Sequence, residues 1–91
     1  MTYTKVVFRK DKKSKDIIAF LPETRAFFGK VMSYQHIGQH SEADYNYYQN
    51  DTAKVDETEY RVLFEELQGI YDGTLKVYQK ISYNDLKKAW Y

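Results

Sequence analysis

The sequence predicts an α+β domain in which one amphipathic helix packs on one face of a small antiparallel or mixed sheet. Two observations carry this prediction. Residues 3–21 hold two runs of β-branched and aromatic residues separated by a lysine-rich segment, as in a β-hairpin. Residues 60–71 repeat apolar residues at steps of three and four, as in a helix with one buried side. The predicted order is ββ(β)-α-β-α, in a single domain spanning residues 1–91.

The hairpin strands are predicted at residues 3–9 and 16–21, with a basic tip between them. Pro22 lacks a backbone donor, so the second strand should end there or run along a sheet edge. Residues 30–36 predict a third strand. Residues 38–54 have no clear period and predict a segment that is mostly loop, with a short helix over residues 42–49 as the alternative.

The main helix has clear start signals. Asp56 is placed to cap its N-terminus, and Glu59 three residues later suits a capping box. Gly69 is expected to form a left-handed cap near the C-terminal end. The apolar face comprises Tyr60, Leu63, Phe64, Leu67, Ile70 and Tyr71.

The last part of the chain predicts a strand and a short helix. Asp72-Gly73 is a turn signal, and the alternation of apolar and polar residues over 75–81 has the period of a half-buried strand. Ser82 and Asp85 outline a second capping box before a terminal helix. Its apolar residues are Leu86, Ala89 and Trp90.

Composition excludes several classes of protein. The chain has no cysteine, which excludes a disulfide framework, a thiolate metal site and thiol catalysis. The longest purely apolar run, residues 17–21, is far shorter than the ~20 residues that cross a bilayer. The N-terminus also lacks the pattern of a secretory leader. We expect a cytoplasmic protein with no membrane partner.

The net charge of +1 conceals a segregation along the chain. Residues 1–40 carry +5, residues 41–72 carry −7 and residues 73–91 carry +3. Such blocks predict a molecule with one basic and one acidic side, suited to electrostatic steering. The alternative is an acidic helix lying over a basic sheet, with the charges attracting each other within the fold.

The densest group of polar and aromatic residues lies in the segment from Ser33 to Asp44, which contains both histidines of the chain. Titratable, small and aromatic side chains concentrate here as nowhere else. We therefore expect a binding site in this segment, formed by Tyr34, Gln35, His36, Gln39, His40 and Asp44.

The sequence also carries a resemblance to a known family, which spans most of the chain and is most specific from Ser33 to His40. The motifs are Val7-Phe8-Arg9-Lys10, Asp16-Ile17-Ile18-Ala19 with Leu21-Pro22, and Ser33-Tyr34-Gln35-His36-Ile37-Gly38-Gln39-His40 with Ala43-Asp44. Their order resembles a family of small uncharacterised proteins from bacteria, phages and mobile elements. The resemblance implies a bacterial or phage setting and draws attention to the region from Tyr34 to Asp44. It implies no activity.

A metal site or an enzyme is the alternative use of this segment. On a continuous helix, His36, His40 and Asp44 would share one face and could bind zinc or iron. A histidine oriented by Asp44 also suits acid–base catalysis. Gly38 and the β-like residues before it argue against a continuous helix, and no nucleophile motif or phosphate loop accompanies them. A binding domain without a cofactor is the favoured interpretation, and a small metal-dependent or histidine-assisted enzyme is the alternative.

Cations and tyrosines also alternate on two predicted strands. If Val6 and Phe8 face the core, Tyr3, Lys5 and Arg9 share the opposite face, and Lys76, Tyr78 and Lys80 share a face of the late strand. Surfaces that mix cations with aromatic rings hold single-stranded nucleic acid. Alternating lysines also solvate the outer face of ordinary strands, which is the competing explanation.

The tyrosines offer a further surface. Tyr45, Tyr47 and Tyr48 lie near acidic residues in the predicted loop, which would suit a basic protein partner or self-association into a homo-oligomer. The alternative is that some of them roof the core. The expected partner is therefore a macromolecule, either a protein or a single-stranded nucleic acid.

Overall fold

The computed structural model describes residues 3–35, 39–71 and 73–90 and confirms the α+β class. The first four strands are β1 (Thr4–Asp11), β2 (Ile17–Leu21), β3 (Lys30–Gln35) and β4 (Gln39–Asp44). The remaining elements are α1 (Tyr45–Asp51), β5 (Thr52–Lys54), α2 (Glu57–Ile70), β6 (Leu75–Tyr78) and α3 (Tyr83–Ala89). In the described ranges, none of the helices has both the length and the apolar character needed to cross a membrane.

The strands of the described residues form one six-stranded mixed sheet with β1 near one side. The strand order is β4-β3-β2-β1-β5, and all of these pairs are antiparallel. β6 pairs with the first half of β1 in parallel, opposing Lys5 to Lys76 and Val7 to Tyr78. β5 and β6 therefore lie along the same side of β1, at its two ends.

Helices cover both faces of this sheet. α2 packs on the face that we call the α2 face, with a core of Val6, Phe8, Ala19, Leu21, Tyr34, Leu63, Leu67 and Leu75. α1 and α3 pack on the opposite α3 face, with a core of Val7, Ile18, Phe20, Val31, Tyr48, Ile81 and Leu86. α2 is the predicted amphipathic helix on one face, and the layer of α1 and α3 on the other face is an addition to that prediction. The physical reason is visible in β1 and β2, whose central residues are buried on both faces.

The segment predicted as mostly loop is instead regular, which corrects that prediction. It forms β4, α1 and β5, and only the α1 part was anticipated, as the alternative helix over residues 42–49. β4 is an edge strand whose side chains are largely exposed or half-buried, so it lacks the alternation that marks a strand with one buried face. In α1, Tyr48 is buried against the ring of Phe20, so α1 roofs the core.

The ends of α2 match the sequence signals only in part. The side chain of Asp56 accepts a hydrogen bond from the Glu59 N–H at 3.1 Å, which confirms the predicted cap. The carboxylate of Glu59 pairs with Lys10 on β1. The helix continues through Gly69, and Gly73, at φ 75°, adopts the left-handed conformation instead. That turn returns the chain to β6.

Candidate functional site

The predicted site in the segment from Tyr34 to Asp44 lies on the hairpin of β3 and β4. Tyr34 stands opposite His40, and its side chain is 1% exposed. Its hydroxyl donates a hydrogen bond to the carboxylate of Glu66 on α2. This bond, with burial and the charge of Glu66, raises the pKa of Tyr34 to about 12. Tyr34 thus attaches the hairpin to α2.

The other described residues of this segment make separate contacts. His40 is exposed, with Nε2 3.1 Å from the hydroxyl oxygen of Tyr71 and its ring centroid 5.0 Å from that of Tyr34. Asp44 accepts a hydrogen bond from Lys30 Nζ at 2.7 Å. Gln35 is exposed at the end of β3. His36 and the side chain of Gln39 lie outside the described residues.

The extended conformation of β4 separates two of the residues that the metal alternative brings together. Residues four apart on an extended strand are separated by roughly 13 Å, so His40 and Asp44 are not neighbours. Asp44 is also engaged by Lys30. Among residues 3–35, 39–71 and 73–90, no group of three His, Cys, Asp or Glu side chains could hold a metal ion. Because His36 is outside these ranges, the metal and enzyme alternatives stay predictions.

Arg9 is covered by α1 and β5, which corrects the expectation that it lies on an open sheet face. Its Nε donates to Thr52 Oγ1 at 3.0 Å and its Nη2 to the Thr52 carbonyl at 2.9 Å. The guanidinium lies 4.9 Å from the ring centroid of Tyr48. Arg9 does share a strand face with Lys5, as the alternation predicts, but its donors serve the fold.

The other cations and rings of the two strands form a cluster at the opposite end of β1. We call Tyr3, Lys5, Lys76 and Tyr78 the β6 patch. Lys5 Nζ lies 4.9 Å from the ring centroid of Tyr78, and Lys76 Nζ lies 5.8 Å from the same ring and 6.0 Å from that of Tyr3. Both rings and Lys76 are exposed. Lys80, also exposed, follows in the connection to α3.

Within the β6 patch, Lys5 is the cation that the fold neutralises. Its ammonium donates to Asp85 Oδ2 on α3 at 3.0 Å and lies 4.0 Å from Glu23 Oε2. The hydrogen bond to Asp85 is the main cause that raises the pKa of Lys5. Lys76 therefore supplies most of the positive charge that this patch presents to solvent.

A second aromatic cluster, which the sequence did not indicate, lies on the other flank of α3. Phe28, Tyr83, Lys87 and Trp90 line a groove of ≈ 370 Å³, which we call the aromatic notch. The ring centroid of Trp90 is 4.8 Å from that of Phe28 and 5.7 Å from that of Tyr83. Lys87 Nζ lies 5.9 Å from the centroid of Tyr83. Phe28 is 79% exposed and Tyr83 52% exposed.

Local geometry explains why these side chains meet. Tyr83, Lys87 and Trp90 follow one another at steps of four and three, so they share one side of α3 and its C-terminal end. Trp90 Nε1 donates to the carbonyl of Lys30 at 2.6 Å. Gly29, at φ 83°, forms the turn between Phe28 and β3. The spacing along α3 is the one sequence signal that could have indicated the notch.

The outer side of α3 joins the two clusters. Lys87 and Lys88 are exposed there, while Asp85 projects from the opposite flank towards Lys5. The α2 face differs in charge, since α2 carries Glu57, Glu59, Glu65 and Glu66 with Arg61 as its cation. The charges also attract each other within the fold, because Lys10 on β1 pairs with Glu59 on α2 and Lys5 on β1 pairs with Asp85 on α3.

Comparisons with known proteins set no further constraint on this surface. No family model, no curated protein and no solved structure matches the chain.

Proposed function

We propose that this chain is a binding domain for single-stranded nucleic acid and that the bound nucleic acid crosses the α3 face. The observation that carries the proposal is the pairing of exposed rings with lysines. The rings of Tyr3, Tyr78 and Tyr83 each have a lysine ammonium within 6.0 Å of the centroid. Rings of this kind stack on bases, each contributing about 1–3 kcal/mol, while lysines neutralise phosphates.

Two features distinguish this surface from an ordinary solvated strand face. Rings are exposed on both flanks of α3, with Tyr3 and Tyr78 on one flank and Phe28 and Tyr83 on the other. Each cluster has an exposed lysine, Lys76 in the β6 patch and Lys87 in the aromatic notch, and Lys88 is exposed on the helix between them. A polyanion with unpaired bases satisfies the rings and the charges together.

The composition of the surface also favours nucleic acid over a protein partner. Protein interfaces are enriched in aromatic residues but depleted in lysine. Here lysine belongs to both clusters and to the helix between them. In this proposal the β3–β4 hairpin has a structural role. Tyr34 contacts Glu66 and His40 contacts Tyr71, and both contacts hold the hairpin against α2.

A bacterial or phage-infected cell is the setting in which we expect this chain to act. A bacterial or phage protein, as the resemblance of the motifs implies, meets single-stranded nucleic acid during replication, transcription or transfer of mobile elements. A cytoplasmic location is the one in which that partner is available.

The test is fluorescence anisotropy with a labelled, mixed-sequence single strand of roughly 12 nucleotides, a length within the site sizes of small single-strand-binding domains. The variant is Lys76→Glu with Lys88→Glu. The matched control is Lys13→Glu with Lys15→Glu, which makes the same charge change in the turn between β1 and β2, at the end of β1 away from β6.

We expect saturable binding by the native chain that weakens as salt rises. The Lys76/Lys88 variant should bind at least about tenfold more weakly, with a shallower salt dependence, because each lost phosphate contact removes roughly 0.7 from the logarithmic slope. The control should stay within about twofold of the native affinity. Absence of saturable binding to DNA and RNA strands, or equal losses in both variants, would reject the proposal.

A further inference from the structure

The aromatic notch has the form of a small-ligand site. Trp90 is its fixed element, because its indole N–H is bonded to the Lys30 carbonyl and its backbone bridges to Ala26. Phe28 and Tyr83 approach this ring from two sides, and their own outer surfaces are open to solvent. The groove has a volume of ≈ 370 Å³, at the lower end of the range of about 300–1,000 Å³ of small-molecule sites, and it is open rather than enclosed.

The positive charge at the notch limits which ligands can bind there. The charged residue in its lining is Lys87. A cationic guest, such as a methylated ammonium group, would meet the repulsion of that lysine. A proline-rich peptide suits an aromatic groove but supplies no anion for Lys87. A planar group with an adjacent phosphate suits both the rings and the lysine.

We infer that the notch holds one base, turned out of the bound single strand and stacked among Phe28, Tyr83 and Trp90, with its phosphate against Lys87. This inference rests on the proposed function, and it adds the recognition of an unpaired base. Bases in a duplex are stacked inside the helix and cannot enter the notch without being unpaired. The site therefore selects single strands over duplexes of the same length.

Trp90 provides a direct signal for the test, because it is the only tryptophan of the chain. A base stacked on the indole should quench its fluorescence. The native protein is titrated with a mixed-sequence single strand, with a strand of the same length whose sugars lack bases, with the corresponding duplex, and with a proline-rich peptide. We expect quenching by the mixed single strand and none by the abasic strand, which should bind at least about tenfold more weakly because every stacked base is lost.

Phe28→Ala is the test variant, and Phe27→Ala is its matched control. Both rings are exposed, at 79% and 56%, so neither substitution should unfold the chain, and Phe27 is not part of the notch lining. We expect Phe28→Ala to weaken binding of the mixed strand by roughly tenfold and to leave binding of the abasic strand unchanged. Phe27→Ala should leave both within about twofold.

The outcomes separate the inference from the proposed function. If the mixed single strand binds through Lys76 and Lys88 and more tightly than the abasic strand, but leaves Trp90 fluorescence unchanged and binds Phe28→Ala equally well, the base-holding notch is rejected and the proposed function stands. If no strand binds while the proline-rich peptide quenches Trp90 saturably, both are rejected and the notch belongs to a protein interface.

Discussion

The two faces of the sheet use aromatic residues in opposite ways. On the α2 face, Tyr60 stacks on Phe8 with ring centroids 4.3 Å apart and planes 7° apart, and the Tyr34 hydroxyl is bonded to Glu66. On the α3 face, Phe28 and Tyr83 project into solvent beside lysines. On the α2 face the rings pack against one another and the core, with Tyr60 and Phe64 half-buried beside a groove of ≈ 410 Å³. The α3 face buries Phe20 and Tyr48 in its core and leaves more ring surface exposed at its margins.

Helix length accounts for much of this difference. α2 has 14 residues and is about 21 Å long, whereas α1 and α3 have seven residues each and are about 10 Å long. Two short helices leave margins where rings that flank the core stay exposed. The aromatic notch and the β6 patch lie at the two margins of α3.

The largest expected effect is the loss of stability when a buried leucine is truncated in the core of either face. Leu67 on α2 is 0% exposed and Leu86 on α3 is 1% exposed, so replacing either with alanine should lower the free energy of unfolding by about 2–5 kcal/mol, measured by urea denaturation. The two variants should differ in binding. Leu86→Ala loosens α3 and should weaken binding of a single strand, while folded Leu67→Ala should retain it.

Val62→Ala is the surface control on α2, because Val62 is 73% exposed and its truncation should change stability by at most about 0.5 kcal/mol. If Leu67→Ala lost binding of single-stranded nucleic acid and Leu86→Ala kept it, the binding surface would lie on the α2 face. That result would contradict the assignment of the binding surface to the α3 face.

The elements that could be predicted from sequence are those whose pattern is local. α2 shows its apolar period within one segment, and the β1–β2 hairpin shows two apolar runs around a polar turn. β4 could not be predicted in this way, because an edge strand with Ser41 and Glu42 has no apolar alternation. That Tyr48 roofs a second core depends on Phe20, which is distant in sequence.

The candidate site follows the same rule, because only the part of it that lies within one strand could be predicted from the sequence. The two-residue period of strands places Lys76 and Tyr78 on one face, and the structure pairs both with Lys5 or Tyr3. The notch could not be predicted, because Phe28 and Trp90 meet only through tertiary packing. The same period placed Arg9 beside Lys5, but no local pattern shows that α1 covers it.

Arg9 allows a sharper test of where the binding surface ends. Arg9→Lys removes a planar donor that bonds both Thr52 Oγ1 and the Thr52 carbonyl, and one ammonium cannot reproduce that geometry. We expect a loss of about 1–3 kcal/mol in the free energy of unfolding, with single-strand affinity unchanged within about twofold. Arg61→Lys, at an exposed i,i+4 pair with Glu57, should cost at most about 0.5 kcal/mol. Weaker binding without lost stability in Arg9→Lys would extend the binding surface to this end of β1.

The smallest expected effect concerns how α1 is fastened beside that surface. The Tyr47 hydroxyl, and then the backbone N–H groups of Ser14 and Lys13, donate to the Asp11 carboxylate and lower its pKa to about 2. Because this pKa lies below the ordinary value of about 3.9, the bonds stabilise the fold above that pH, and their contribution is lost as the pH falls towards 2.

Tyr47→Phe should raise the pKa of Asp11, but not to its ordinary value, since the two backbone donors remain. The measurement is the carboxyl carbon chemical shift of Asp11 against pH, with Tyr45→Phe as the control, because Tyr45 packs against Tyr48 and Tyr83. An unchanged pKa in Tyr47→Phe would mean that the Tyr47 hydroxyl does not hold the Asp11 carboxylate. The bonds of Lys12 to the carbonyls of Asn50 and Asp51 would then be what joins α1 to the turn between β1 and β2. Arg9 would stay beneath Tyr48 and bonded to Thr52, so the binding surface would keep its limit at this end of β1.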